Sequence, residues 1–301
     1  MNSSTAKWAY LLLLSLIWGS SFILIKKGLE GLTAMQLGAL RTIVTGSVLL
    51  LAGGWTFKSI PKSKWKWLVA SGLLGSFLPA FCFAFAETEI DSVVVSVLNS
   101  LVPINTIILG VLIFNINSTK KQVVGILIGL VGTIILILAG ARLNPDQNYI
   151  FAGFVIAATL IYAANANIIK RYLSNVSPLA IATGQYVFII IPAIVILLTS
   201  NFFDDKTIDH PKFYPSIGYI VLLSVFGTAI AKVAFNKLVH LSSPVFASSV
   251  TYIMPIVALF WGILDGESFG IIQSLASILI LLGVYLAHRK KSFKSKKPSQ
   301  K

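Results

Sequence analysis

Ser96-Val97-Leu98-Asn99-Ser100-Leu101-Val102-Pro103 sets Ser96, Asn99, Ser100 and Pro103 at i, i+3, i+4 and i+7 inside a long apolar run. That spacing is one face of a helix. A shift of 152 residues lays Ser248, Thr251, Tyr252 and Pro255 on the same four positions, and Gly262 on Gly110. A proline frees a carbonyl that no lipid can hydrogen-bond, so each stripe must face protein or a water-filled cavity. Two readings stay open: small residues that let helices approach closely, or the wall of a polar site. Pro103 and Pro255 are then candidate hinges.

The surroundings fix the class. Hydrophobic residues make up 56% of the 301, charged residues only 11%, and the mean hydropathy is +0.87. A soluble domain carries about twice that charge. The net charge of +14 does not point to nucleic acid, because the basic residues fall between apolar runs and in the tail. Cys82 is the single cysteine, which excludes an internal disulfide and a cysteine-based zinc site. His210, His240 and His288 lie far apart with no motif around them. Neither a metal nor a cofactor is expected.

Ten apolar segments have about the ~20 residues that span a bilayer as helix: Trp8 to Ile25, Ala34 to Gly54, Trp67 to Ala86, Ser92 to Phe114, Val123 to Gly140, Ile150 to Ile169, Leu179 to Leu198, Ser216 to Leu238, Val245 to Leu264 and Phe269 to Ala287. The first continues past Trp18 into Lys26-Lys27 without a cleavage pattern, so it is expected to remain as a span rather than leave as a signal. With the N-terminus in the cytoplasm, seventeen of the 24 lysines and arginines fall inside and five outside. That bias predicts a multi-pass protein of the cell (inner) membrane with both termini cytoplasmic. The basic tail, 288–301, is expected to attract anionic lipid headgroups.

The repeat runs beyond the opening stripe. At an offset of 144, Leu16-Ile17-Trp18 matches Leu160-Ile161-Tyr162 and Ile25-Lys26-Lys27 matches Ile169-Lys170-Arg171; at 152, Gly75-Ser76 matches Gly227-Thr228 and Phe83 matches Phe235. Two units follow, 1–141 and 142–287. Each holds five spans, an odd number, so the copies enter the membrane from opposite sides. The predicted fold is an all-α integral membrane protein of ten transmembrane helices in two inverted-topology repeats, an architecture of secondary transporters with a site near the bilayer midplane.

Leu16-Ile17-Trp18-Gly19-Ser20-Ser21-Phe22, Arg41, Pro103, Asn236-Lys237-Leu238, Tyr252-x-x-Pro255 and Gly266-Glu267 resemble the EamA-type transporters of the drug/metabolite transporter superfamily. The resemblance covers nearly the whole chain. It implies a ten-helix transporter with a central cavity for amino acids, other small metabolites or related amphiphiles, often moved outward. One position departs from the pattern: the acid that usually closes the fourth span is Asn115 or Asn117 here, while its counterpart Glu267 is present.

Ionisable residues inside a membrane are functional candidates. Lys232 shares a helix face with Thr228 and Asn236, and its repeat counterpart is Ala80. It either snorkels to the cytoplasmic surface or faces the cavity, where it could pair with a substrate carboxylate or with Glu87. Arg41, opposite Gln185 in the second copy, reads as a structural charge. Trp18 and Tyr162 occupy matching mid-span places and Asn165 lies deeper than Asn167. The candidate substrate-binding set is therefore Trp18, Ser96, Asn99, Ser100, Tyr162, Asn165, Lys232, Asn236, Ser248, Thr251 and Tyr252. Gly125, Gly129 and Gly132 form a small-residue face for packing within the bundle or for a homodimer contact. No aspartate or glutamate lies deep in any span, so proton coupling would have to use the rim acids Glu87, Glu89, Asp91, Asp265 and Glu267. The expected function is alternating-access transport of a small solute, with membrane lipids as the other partner. A lipid flippase on the same scaffold is the alternative, and a polytopic enzyme lacks a nucleophile or acid/base motif.

Overall fold

Among the described residues ten apolar helices follow one another in chain order: α1 Thr5–Leu29, α2 Ala34–Ser59, α3 Lys62–Ala86, α4 Ser92–Ile113, α5 Val123–Leu143, α6 Tyr149–Tyr172, α7 Pro178–Thr199, α8 Phe213–Leu241, α9 Pro244–Leu264 and the shorter α10 Ile271–Leu286. The computed structural model describes residues 3–114 and 120–288, and among these there is no strand. Asn115, Asn117 and the basic tail from residue 289 onward lie outside the described residues. Helix starts are written in the sequence. Thr33 and Gln36 close a reciprocal capping box on α2, Ser177 caps α7 ahead of Pro178, and Ser243 caps α9 ahead of Pro244.

The packing has a pseudo-twofold pattern. α1 packs on α8 and α9, and its repeat counterpart α6 packs on α3 and α4; α2 runs along α7, α5 along α10, and α4 meets α9 across the centre. Each contact has its mate five helices away, as two antiparallel copies require. α5 and α10 form a pair at the edge, where Gly283 sits so close to α5 that a Cβ would lie 2.6 Å from the Gly129 nitrogen and 2.7 Å from the Gly125 carbonyl oxygen. The small-residue face of α5 is thus occupied by α10 of the same chain. Outward, large apolar side chains such as Leu112, Ile134, Leu198, Ile263 and Ile272 are exposed, which suits lipid rather than water.

Beside a one-residue break at Ser20 in α1, four helices are interrupted at mid-depth in two matched pairs. α3 widens into a π-helical turn at Leu73–Phe77 and α8 at Leu223–Ile230. α4 breaks between Asn99 and Val102, and α9 passes through a 3-10 turn at Ser249–Tyr252 before resuming at Met254. Pro103 and Pro255 stand in the first turn of each resumed helix, where no amide hydrogen is needed. The interruptions turn main-chain groups inward, toward one cavity.

Candidate functional site

The π turns leave carbonyls without an intrahelical donor, and side chains from the opposite repeat meet them. Trp18 Nε1 donates to the Gly227 carbonyl at 2.8 Å. Lys232 Nζ donates to the Gly75 carbonyl. Gly75 and Gly227 are repeat equivalents, so one carbonyl position is served by an indole in one half and by an ammonium in the other. Glycine is needed at Gly75 because a Cβ there would collide with the Asn165 amide.

Around these groups lies a cavity of about 100 Å³. A buried water takes roughly 30 Å³ of liquid volume, so the space holds a few waters or a small solute. Its aromatic walls obey the same symmetry: Trp18 lies against Phe235 with ring centroids 5.3 Å apart, and Tyr162 against Phe83 at 5.9 Å. Between them Asn99, Asn165, Ser248, Thr251, Ser76 and Thr228 provide polar groups, and Arg41 and Lys232 provide the charge. Among the described residues no aspartate, glutamate or histidine lines this cavity. It is a cationic pocket in an apolar medium.

The polar groups are held from behind. Arg41 Nε donates to Thr228 Oγ1 at 3.1 Å, from α2 to α8. The guanidinium has four further N–H donors. Gln185, its repeat counterpart, instead donates through Nε2 to Ser71 Oγ at 2.5 Å, and Ser71 donates to Asn165 Oδ1 at 2.5 Å, joining α7, α3 and α6. Thr251 Oγ1 donates to the Ser248 carbonyl at 2.9 Å and Ser248 Oγ to that of Val245 at 3.0 Å, which leaves both hydroxyl oxygens as acceptors. The Asn99 amide oxygen is buried with no donor.

Of the candidate residues, the structure brings Trp18, Asn99, Tyr162, Asn165, Lys232, Ser248 and Thr251 to the cavity, together with Arg41. Lys232 is 6% exposed and turned inward, not to a surface. Ser96, Ser100, Asn236 and Tyr252 do not reach it. Ser96 is fully buried, Ser100 Oγ donates to the Thr251 carbonyl at 2.9 Å, Asn236 Nδ2 to that of Pro178 at 3.2 Å, and the Tyr252 hydroxyl lies 3.4 Å from the Val284 carbonyl on α10. Phe22, Thr42, Ser76, Phe83, Tyr186 and Phe235 line the cavity without having been candidates. The repeat offsets that align Phe83 with Phe235 and Ser76 with Thr228 carry a signal for three of these positions; Tyr186 had none beyond its neighbour Gln185. Among the described residues no cluster of three histidine, cysteine or acidic side chains could hold a metal.

The EamA-like transporter family matches residues 6–138 and again 150–289. The chain belongs to that family. Its two matched stretches are the two five-helix halves. Relatives that EamA-like similarity reaches over nearly their full length include the uncharacterized inner membrane transporter YedA of Escherichia coli, 28% identical over 91% of this chain and 90% of the relative. Protein PecM of Dickeya dadantii is 26% identical over 92% and 93%, and a probable amino-acid metabolite efflux pump of Salmonella typhimurium is 24% identical over 91% and 92%. A crystal structure with 17% sequence identity superposes at a TM-score of 0.66, covering 94% of this chain and 96% of the other, a likeness of fold. The protein is thus a multi-pass membrane transporter of this family.

Proposed function

We propose that the chain is a secondary transporter that moves small metabolites such as amino acids by alternating access, outward or in exchange, between two units at 1–141 and 142–287. The observation that carries this reading is the cavity with two basic side chains and no acid where the two repeats meet. Two basic side chains, Arg41 and Lys232, without an acid favour a solute that brings a carboxylate. The acceptor oxygen of Asn99 suits the ammonium group of the same solute, and the aromatic walls suit its carbon skeleton. The efflux-pump name of one relative supports amino-acid metabolites as the first class to test. The lysine and arginine bias supports cytoplasmic termini, which puts the Lys26 end of the bundle outside and the Lys170 end inside.

The test is counterflow of a radiolabelled panel of amino acids and other small metabolites in proteoliposomes. Saturable counterflow of a carboxylate-bearing solute is expected. Lys232→Met, which removes a charge-assisted contact, is expected to raise KM about ten- to a hundredfold while leaving the protein folded. Failure of every panel member to exchange, or an unchanged KM in Lys232→Met, sinks the assignment.

A further inference from the structure

The rim at the Lys26 end contains a group that the transport reading leaves unused. Glu87, at the end of α3, is 7% exposed, and neither carboxyl oxygen has a hydrogen-bond partner. The main chain of Lys26 favours its ionised form only weakly. A buried ionised carboxylate without partners is costly, and such a group keeps its proton instead. The charged groups acting on it are Glu267 from the segment after α9, Lys26 from α1 and Arg41 from α2. Burial, reinforced by Glu267, pushes the Glu87 carboxyl well above the usual carboxylate range against the pull of Lys26 and Arg41.

Beside it stands a cluster of ion pairs that joins the two repeats at this end. Lys26 Nζ lies 2.9 Å from Glu267 Oε1 and 2.8 Å from Asp265 Oδ2, and Glu267 also accepts from Ser92 Oγ at 2.6 Å and the Val93 N–H at 3.1 Å. Glu267 thereby ties α1 and the start of α4 to the second repeat. An ionised Glu87 would set a second carboxylate against Glu267 and compete with it for Lys26. The clamp and a charged Glu87 exclude one another.

We propose that Glu87 is a proton-binding site whose occupancy latches the Lys26 end shut. With the proton bound, Lys26 stays with Glu267 and Asp265. When the proton leaves to water on that side, Glu87 becomes a carboxylate, draws Lys26 away, and the end opens to hydrate it. The proton is taken from the same side and returned to it, so the balance is one H⁺ per opening and no other reactant. A single proton makes closure change by at most about tenfold per pH unit, with closure favoured at lower pH.

This inference rests on the alternating-access reading, and two measurements separate their failures. The first needs no solute: infrared spectra of the purified protein are expected to show the C=O stretch of a protonated buried carboxyl at neutral pH, absent in Glu87→Gln. The second places a single cysteine in the cavity, Asn99→Cys in a Cys82→Ala background, and labels it with a membrane-impermeant maleimide in sealed vesicles of both orientations. Labelling from the Lys26 side is expected to rise with pH relative to the Glu87→Gln variant, up to about tenfold per unit. Glu87→Asp, which keeps a titrating carboxyl, is expected to restore that dependence. A carboxyl band that survives in Glu87→Gln, or equal pH dependence in both proteins, overturns the latch alone. Labelling from neither side in any variant overturns alternating access and the latch with it.

Discussion

The two ends of the bundle solve one problem with different chemistry. At the Lys26 end the closure crosses from repeat to repeat: Lys26 of α1 meets Glu267 and Asp265 beyond α9, and Lys27 meets Asp265 at 2.5 Å. At the other end Lys170, the repeat equivalent of Lys26, turns to the carbonyls of Val239, His240 and Ser242 at 3.2, 3.4 and 2.7 Å. Those carbonyls belong to the end of α8, so this lysine caps a helix within its own repeat. The counterpart of Glu267, Asn115 or Asn117, lies outside the described residues. The two repeats therefore carry an ion-pair cluster between them at one end and a helix cap at the other. The ion pairs need acids on one repeat and a lysine on the other, whereas the cap needs only a donor against main-chain carbonyls of its own repeat.

Breaking the lock should have the largest effect. Glu267 has a side chain only 1% exposed, and its loss leaves Lys26 with Asp265 alone and strands the Val93 N–H together with both donors of Ser92. Removing one partner of a fully buried pair costs about 3 to 5 kcal/mol. Since Lys26 keeps 30% exposure, about 2 to 3 kcal/mol is expected for Glu267→Ala, or about 30- to 140-fold in the closed-to-open ratio at the Lys26 end. Maleimide labelling of the cavity cysteine from that side measures it. An unchanged rate would show that apolar packing, not the clamp, holds this end.

Much of this arrangement is legible in the sequence, because polar residues in an apolar chain are few and each must be accounted for. The ten spans, the paired interruptions near Pro103 and Pro255, and the Gly75/Gly227 equivalence all follow from that scarcity. The stripe was harder. Counting by i, i+3 and i+4 assumes one continuous helix, yet α4 stops at Asn99 and α9 tightens into a 3-10 turn over Ser249–Tyr252. A 3-10 turn advances about 120° per residue instead of 100°, so Thr251 lines the cavity while Tyr252 swings toward α10. Ser96, a turn before the break, is packed in protein. Tyr186 reaches the cavity from α7 amid an apolar run that carries no periodic mark, and Glu87 reads from sequence as one more solvated rim acid. Its burial is a tertiary fact.

Capping can be tested at the opposite end with a smaller expected effect. Lys170→Met keeps the apolar stem of the side chain and removes three donors from the α8 terminus. Hydrogen bonds from a charged group are worth about 1.5 to 3 kcal/mol each at most, and shared among weakly aligned carbonyls the loss is expected near 1 to 2 kcal/mol. A lowered melting temperature with unaltered labelling from the Lys26 side is the expected outcome. Increased labelling from that side would mean the two ends are coupled more tightly than separate closures allow.

The smallest effect comes from acid, and its sign opposes that of Glu87. Burial pushes the Asp265 carboxyl up, but hydrogen bonds from Lys26 and Lys27 outweigh this and hold it below the usual carboxylate range; Glu30 is held low by Lys27 as well. A carboxylate with a depressed folded-state pKa adds stability that is fully present above its ordinary value, about 3.9 for aspartate, and is lost as pH falls through the lower one. Glu87, neutral in the closed form, contributes in the other direction at higher pH. As pH falls from 7 toward about 4, uptake of the proton by Glu87 should hold or raise the melting temperature, and below about pH 4 loss of the Asp265 pairs should lower it, with a smaller fall in Asp265→Asn. These groups sit at the rim, so added salt should shrink the difference further. A melting curve that instead declines steadily from pH 7 to pH 5 in both proteins would assign the closure's acid sensitivity to a group other than the Asp265 pairs.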